Sequence, residues 1–169
     1  MNMEEAIKTA LDYETRIRDI YKDASEIISD QRGRRILQFL GEDEQHHVEY
    51  LMDRLALWKK TGKLTAKKLE STVPSKETIQ KGVEKIKTHM PRENRRGEIE
   101  ILGRALKVEI ETSNFYQKMV NELSDEGQRM FTRFLEIEKN HIAAVQFELD
   151  YITKTGYWFD FKEFDMEDL

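Results

Sequence analysis

The chain of 169 residues contains no cysteine. Disulfide bonds, thiolate zinc sites, iron–sulfur clusters and a rubredoxin-type iron centre are therefore excluded within it, and any metal must be bound through nitrogen and oxygen ligands. Glycine and proline are also scarce, with 8 and 2 residues, whereas 36% of the residues are charged. This composition favours long helices with charged, solvent-facing sides over β structure.

Long apolar runs and continuous basic runs are missing as well. No apolar stretch reaches the roughly 18 residues that a membrane span needs, and residues 1–5 lack the basic and apolar segments of a secretory signal. With a net charge of -5, neither nucleic acid nor an anionic membrane is an expected partner. The sequence predicts a cytoplasmic protein made of a single domain over residues 1–169.

The spacing of apolar residues predicts two helical hairpins. Helical periodicity from residue 3 to about 29, turn residues, and a second periodic stretch ending near residue 61 predict a hairpin over 3–62. A second hairpin is predicted over 94–156, with Ser124 as N-cap of its last helix and Gly156 at its end. Residues 63–93 are polar, lysine-rich and long enough to cross the bundle. We predict an all-α four-helix bundle with a long crossover between its second and third helices.

The C-terminal residues 157–169 are both acidic and aromatic. Tyr157, Trp158, Phe159 and Phe161 lie close together in this segment. Such a concentration of aromatic side chains is unfavourable in water, so we expect the segment to pack on the bundle or on a second subunit. A homodimer is the expected assembly.

Two copies of the pattern Glu-x-x-His stand out, Glu44 with His47 and Glu138 with His141. Residues three apart on a helix lie on one face, so each pair can present a carboxylate and an imidazole to one metal ion. One such copy is a weak signal. The two copies together are a stronger signal for a metal site, because they belong to an internal repeat that covers both predicted hairpins.

The repeat carries a further glutamate and a tyrosine in each half. Glu14 corresponds to Glu109, and Tyr21 to Tyr116, seven residues later on the same helix face. Four carboxylates offset two divalent cations, but without metal their joint burial would be very unfavourable. Oxygen-rich ligation with one imidazole per ion suits iron or manganese better than a closed zinc site. The predicted metal ligands are Glu14, Glu44, His47, Glu109, Glu138 and His141.

The other polar residues near the motifs differ in the direction in which they face on their helices. Asp43 either orients a ligand imidazole or plays no part in the site. Tyr21 and Tyr116 are interpreted as core phenols that hydrogen-bond a ligand carboxylate, with a redox role as the alternative. His46 points about 100° away from His47 and is expected at the surface. No role in the site is predicted for His89, Glu42 or Glu136.

At these residues the sequence resembles the ferritin-like di-iron carboxylate superfamily, and within it the rubrerythrin family. The resemblance spans residues 3–156 and rests on Glu-Asp-Glu-Gln-His-His at 42–47, Glu-Ile-Glu-Lys-Asn-His at 136–141, and Phe115-Tyr116 after Glu109. It implies a ferritin-like bundle with two iron ions per chain. Glu44 and Glu138 would bridge the irons, Glu14 and His47 would complete one, and Glu109 and His141 the other.

The resemblance also implies an activity in which the same six residues are catalytic. The implied activity is that of an oxidoreductase that acts in oxidative stress and reduces hydrogen peroxide or dioxygen at a diferrous centre. The oxidised centre would be oxo- or hydroxo-bridged and re-reduced by an external donor such as a rubredoxin-like protein. Manganese or zinc are possible substitutes for iron. The alternatives are a ferritin-like ferroxidase that handles iron, or a non-enzymatic metal-binding module.

The sequence departs from the rubrerythrin pattern in two ways. Rubrerythrins usually carry a further glutamate three residues after the ligand on the third helix, where this chain has Thr112. They also usually append a cysteine-ligated rubredoxin domain, which cannot form in a chain without cysteine.

Overall fold

The computed structural model describes residues 1–65, 67–83 and 95–161. Within these residues the chain forms five helices and no strand, so the all-α prediction is confirmed. None of the described helices is both long and apolar enough to cross a membrane. His89 lies outside the described residues. The helices are α1 (Met3–Ile27), α2 (Gln31–Thr61), α3 (Lys76–Val83), α4 (Arg96–Glu122) and α5 (Asp125–Thr155).

The helix ends follow local sequence signals. Asn2 and Glu5 form a reciprocal capping box at the start of α1, and the Asp30 side chain accepts a hydrogen bond from the Gly33 N–H at the start of α2. Gly62 and Gly156 end α2 and α5 in the left-handed conformation, which a glycine adopts without steric cost. Ser124 is the N-cap of α5, as predicted, although its side chain makes no capping hydrogen bond.

The four long helices pack as two antiparallel hairpins. Helix α1 packs on α2, α4 on α5, and α1 also on α4. Tyr21 of α1 bonds to Glu109 of α4, while Tyr116 bonds to Glu14, so α1 and α4 run in opposite directions. It follows that α2 and α4 run in the same direction, and the chain must travel the length of the bundle between them.

That connection lies over the α2 and α5 side of the bundle. Near its start, the Tyr50 hydroxyl donates to the Lys67 carbonyl at 2.6 Å, and the Arg133 side chain donates to the Leu69 carbonyl at 3.1 Å. Farther along, α3 packs on α5, with Ile79 buried in the core. The connection thus covers the groove between two helices that each carry a Glu-x-x-His pair.

The hydrophobic core is divided into two clusters. One includes Ile17, Leu40 and Leu102 toward one end of the bundle, and the other includes Ile7 and Leu51 toward the opposite end. In each long helix, the predicted ligands lie in sequence between the residues of the two clusters. Apolar packing on both sides therefore encloses the polar layer.

The first part of the C-terminal segment packs on the bundle. Trp158, Phe159 and Phe161 are buried in the cluster at the end where α4 begins. The Trp158 Nε1 donates to Glu98 Oε2 at 2.5 Å, and Gly33 leaves the space that the indole fills, because a Cβ there would lie 2.5 Å from the ring. The expected packing therefore occurs within the chain for residues 157–161, and residues 162–169 lie outside the described part.

Two buried ionisable residues anchor the segments that follow the hairpins. Arg54 and Glu148 occupy matching places, each two turns after the histidine of its helix. Arg54 donates to the Thr65 carbonyl at 2.9 Å, and Glu148 Oε2 accepts the Phe159 N–H at 3.1 Å. The other Glu148 oxygen has no partner among the described residues. Burial, and secondarily the charge of Asp160, raise the pKa of Glu148 well above its ordinary value.

Glu148→Gln is expected to make the protein more tolerant of alkaline pH. Because the folded-state pKa of Glu148 is raised, its contribution to stability is present below the unfolded-state pKa and is lost as pH rises toward the folded value. The melting temperature of the variant minus that of wild type should increase by on the order of 3 °C or more as pH is raised from 5 to 9. Circular dichroism melts across this range test it, with exposed Glu42→Gln as the matched control. Parallel curves for Glu148→Gln and wild type would contradict it.

Candidate metal centre

Seven polar side chains meet in the layer between the two core clusters. Their positions on the inner faces of the helices follow from the helical repeat, since each continues the apolar stripe of its helix. All seven are at most 1% exposed. They are Glu14 from α1, Asp43, Glu44 and His47 from α2, Glu109 from α4, and Glu138 and His141 from α5.

Three groups of side chains within this layer have the geometry of metal sites: one is Asp43 with His47 and His141, and the two larger groups overlap. In each group, one ligand atom per residue lies within 4.8 Å of the others. Glu44 and Glu138 belong to both larger groups. Glu14 and His47 complete one, and Glu109 and His141 complete the other. The structure thus brings together all six residues that the sequence nominated, in the pairing expected of two adjacent ions with two shared carboxylates.

Several carboxylate oxygens of this layer make no hydrogen bond to the described residues. Glu14 Oε2, Glu109 Oε2 and both oxygens of Glu138 are buried and have no hydrogen-bond partner among the described residues. Buried polar atoms of this kind cost free energy unless something compensates them, and the cost is larger when they are charged. Divalent cations placed between these oxygens would compensate them, so the residues present fit a two-metal centre.

The hydroxyl groups of Tyr21 and Tyr116 each donate a hydrogen bond to a glutamate of the other hairpin. Tyr21 of α1 donates to Glu109 Oε1 of α4 at 2.5 Å, and Tyr116 of α4 donates to Glu14 Oε1 of α1. Each phenol therefore occupies one oxygen of a glutamate and leaves the other oxygen without a hydrogen-bond partner among the described residues. Burial, followed by the charges of the nearby glutamates, raises the pKa of both tyrosines well above the ordinary value.

Asp43 lies against both imidazoles. Its Oδ2 is 2.8 Å from His141 Nε2 and 3.5 Å from His47 Nε2. The opposite ring nitrogens face the glutamates, with 2.7 Å from His141 Nδ1 to Glu44 Oε1 and 3.2 Å from His47 Nδ1 to Glu44 Oε2. A carboxylate on Nε2 favours a proton there and leaves Nδ1 free to bind metal. Asp43 is thus placed to orient the His141 ring by a hydrogen bond, whereas His47 Nε2 has no hydrogen-bond partner among the described residues.

The crossover holds Asp43 in place. The Ser71 hydroxyl donates to Asp43 Oδ2 at 2.9 Å, and the Thr72 N–H and hydroxyl donate to Oδ1 at 2.9 and 3.0 Å. Sequence reasoning did not single out these two residues, because nothing in a polar connector shows which part will lie against α2. Glu148 was also missed, although its two-turn spacing from His141 was a usable signal.

Protonation of the ligands is strongly perturbed by their mutual proximity. Burial, with the charge of Glu14 adding to it, raises the pKa of Glu44 to about 8, and similar causes raise that of Glu138 well above its ordinary value. Burial opposes charge on His47, but contacts with Glu14 and Glu44 outweigh it and raise the pKa to about 10. The pKa of His141 is likewise raised by Glu44 and Asp43 against the effect of burial. Protons thus compete with metal for these ligands.

Metal loading is therefore expected to release protons. Near pH 6.5, the groups whose pKa values are raised should hold protons in the metal-free protein, so that filling both positions releases more than one proton per chain. Since metal displaces these protons, the apparent affinity should fall as pH falls from 8 to 6. Titration calorimetry with Zn²⁺ in buffers of different ionisation enthalpy measures the number released. Release of less than one proton per chain would contradict a shared buried site.

The remaining candidates lie away from the centre or take no visible part in it. His46, Glu42 and Glu136 are exposed, as helix geometry predicts. Thr112 is fully buried, but its hydroxyl donates to the Val108 carbonyl of its own helix at 2.7 Å.

Comparison of the chain with protein-family models, with curated proteins and with solved structures found no match in any of the three. The six candidate ligands occupy corresponding positions in the two hairpins.

Proposed function

We propose that the chain is a ferritin-like di-iron protein, similar to rubrerythrins, that reduces hydrogen peroxide or dioxygen with electrons from an external donor. The observation that carries the proposal is that Glu44 and Glu138 belong to both candidate ligand groups, while several buried oxygens of the cluster have no hydrogen-bond partner among the described residues. Two ions close together with shared carboxylates are suited to two-electron chemistry on one small molecule.

The donor set favours iron over zinc. Each group contains three carboxylates and one imidazole. Structural zinc sites favour thiolate and imidazole in a closed tetrahedron, whereas oxygen-rich sets with open positions suit iron and manganese. Two ferrous ions held there would supply the electrons that break an O–O bond.

The surrounding residues are arranged to keep the ligands in place and water out. Tyr21 and Tyr116 each hold one oxygen of a terminal glutamate and keep their own protons, because their pKa values are raised. Phe134 packs its ring edge-on against the His47 imidazole, with centroids 5.8 Å apart. Apolar neighbours of this kind exclude water and strengthen the electrostatic interactions of the centre.

The proposal is tested by anaerobic loading with Fe²⁺, metal analysis, and rapid mixing with peroxide or dioxygen. We expect two irons per chain and one oxidation event per loaded centre, followed by repeated turnover only when a reductant is supplied. Size-exclusion chromatography distinguishes the ferroxidase alternative, which needs a hollow cage of many subunits and consumes many Fe²⁺ ions per chain. Two bound irons that react with neither oxidant would instead support a metal-binding module and contradict the proposal.

A further inference from the structure

The two candidate histidine ligands have a second side, which faces away from the shared glutamates. The His47 and His141 rings stack, with centroids 5.4 Å apart and planes inclined by 19°. Their Nδ1 atoms face Glu44, at 3.2 Å for His47 and 2.7 Å for His141. Their Nε2 atoms face Asp43 Oδ2, at 3.5 and 2.8 Å. Asp43, His47 and His141 thus form a separate group of potential metal ligands, which we call the outer position.

One nitrogen of the outer position lacks a hydrogen bond. His47 is fully buried, and no residue in the described part of the chain forms a hydrogen bond with its Nε2. Asp43 is already fixed by the crossover, because the Thr72 N–H and hydroxyl donate to Oδ1 and the Ser71 hydroxyl donates to Oδ2. A buried polar atom without a partner costs free energy, and a cation bound to Nε2 would remove that cost. The carboxylate beside this nitrogen is therefore preorganised to share a cation with it.

The spacing and the donor types of the outer position suit one zinc ion. Zinc bonds of about 2.0–2.1 Å in a tetrahedron place neighbouring ligand atoms about 3.3 Å apart. The 3.5 Å from Asp43 Oδ2 to His47 Nε2 is close to this value, and the 2.8 Å contact with His141 Nε2 needs to lengthen by about 0.5 Å. Two imidazoles, one carboxylate and one open position form a known donor set for zinc. The two larger groups instead have three carboxylates and one imidazole each, which suit iron and manganese.

The outer position and the two-metal centre cannot use the same neutral histidine together. A neutral imidazole binds metal through one nitrogen and carries its proton on the other. With metal on Nε2, the proton lies on Nδ1 and is donated to Glu44, whereas with metal on Nδ1 it lies on Nε2 and faces Asp43. Both nitrogens of His141 lie within hydrogen-bond distance of a carboxylate, so either form of this ring is supported.

We propose that Asp43, His47 and His141 form a mononuclear position that binds the first Zn²⁺ through Nε2 of both histidines and withdraws them from the two-metal centre. A single ion in the two-metal centre would leave buried carboxylates of the other group uncompensated, which favours the outer position for the first ion. Excess metal favours the two-metal centre by mass action, because that centre binds two ions. Zinc binding at the outer position does not depend on the proposed reaction with peroxide or dioxygen.

The nitrogen that binds zinc is identified in the wild-type protein. Long-range ¹H–¹⁵N spectra of protein labelled at its four histidines distinguish the two nitrogens of each ring. With one Zn²⁺ added per chain, we expect the His47 and His141 rings to show metal on Nε2 and a proton on Nδ1. Metal on Nδ1 at this stoichiometry, or changes confined to His46 and His89, would overturn the proposal.

Two variants separate the outer position from the two-metal centre. Asp43→Asn keeps the size of the side chain but removes its charge, so the Kd for the first Zn²⁺ should rise about tenfold or more. Glu138→Gln alters a ligand of the two-metal centre only and should change this Kd much less, while weakening Mn²⁺ binding more than Asp43→Asn does. Asp53→Asn removes the same charge from an exposed residue of α2 and should change neither. Competition with a chromophoric chelator measures the zinc Kd. A larger effect of Glu138→Gln than of Asp43→Asn on the first Zn²⁺ would overturn the proposal.

Mutual exclusion is tested by adding Zn²⁺ beyond one equivalent. As two ions fill the two-metal centre, metal should leave Nε2 and bind Nδ1 on both rings, and elemental analysis after desalting should give two zinc ions per chain. Metal on both nitrogens of one ring, or three ions per chain, would overturn the exclusion. These experiments contain neither iron nor an oxidant, so zinc binding at the outer position and the proposed iron chemistry can each fail while the other holds.

Discussion

Glu44→Ala is expected to weaken both metal positions together. Glu44 belongs to both ligand groups, so its removal takes a carboxylate from each, and the loss should lower the affinity of each ion by on the order of 100-fold. Glu138→Ala should behave in the same way. His47→Ala should chiefly affect the single position that His47 completes, leaving about one ion per chain after desalting. Metal content is measured by elemental analysis together with calorimetric titration.

The neighbouring glutamates provide matched controls for these variants. Glu42 and Glu136 lie two residues before Glu44 and Glu138 on the same helices, but they are exposed. Glu42→Ala and Glu136→Ala remove the same charge from the chain and should retain two ions. Retention of two ions with wild-type affinity by Glu44→Ala would show that Glu44 does not bridge.

Metal-free protein is expected to melt well below the metal-loaded form. Without cations the layer holds four glutamates and Asp43, all buried, and the shifted pKa values of Glu14 and Glu44 reflect burial first and then hydrogen bonds and repulsion between neighbouring groups. A ligand that binds only the folded state adds about 4 kcal/mol when its concentration is 1,000 times Kd. For two such ions in a domain of this size, the melting temperature should rise by on the order of 15 °C or more.

Thermal melts at pH 7 with Zn²⁺ or Mn²⁺ added to metal-free protein measure this difference. Glu44→Ala is the informative companion, because the same additions should raise its melting temperature far less. Equal melting temperatures of the loaded and metal-free wild-type forms, with binding confirmed independently, would contradict a single buried site.

Much of the fold and the candidate ligand set could be read from the sequence because both depend on short-range periodicity. Apolar spacing of 3.6 residues determined where the long helices run, and Gly62 and Gly156 determined where α2 and α5 end. The same periodicity placed Glu44 with His47, and Glu138 with His141, on single helix faces. The repetition of Glu14 as Glu109 then indicated that all of them share one centre.

The tertiary structure alone decided which partners these residues take. Tyr21 bonds to Glu109 rather than to a carboxylate of its own helix, because the rotation and offset of α1 against α4 set that distance. Asp43 meets both imidazoles, and Ser71 and Thr72 meet Asp43, because the crossover lies over the groove between α2 and α5. The path of an irregular segment depends on contacts distant in sequence, which no local period encodes. Local spacing therefore determined which residues face the centre, and packing between helices determined how each is held.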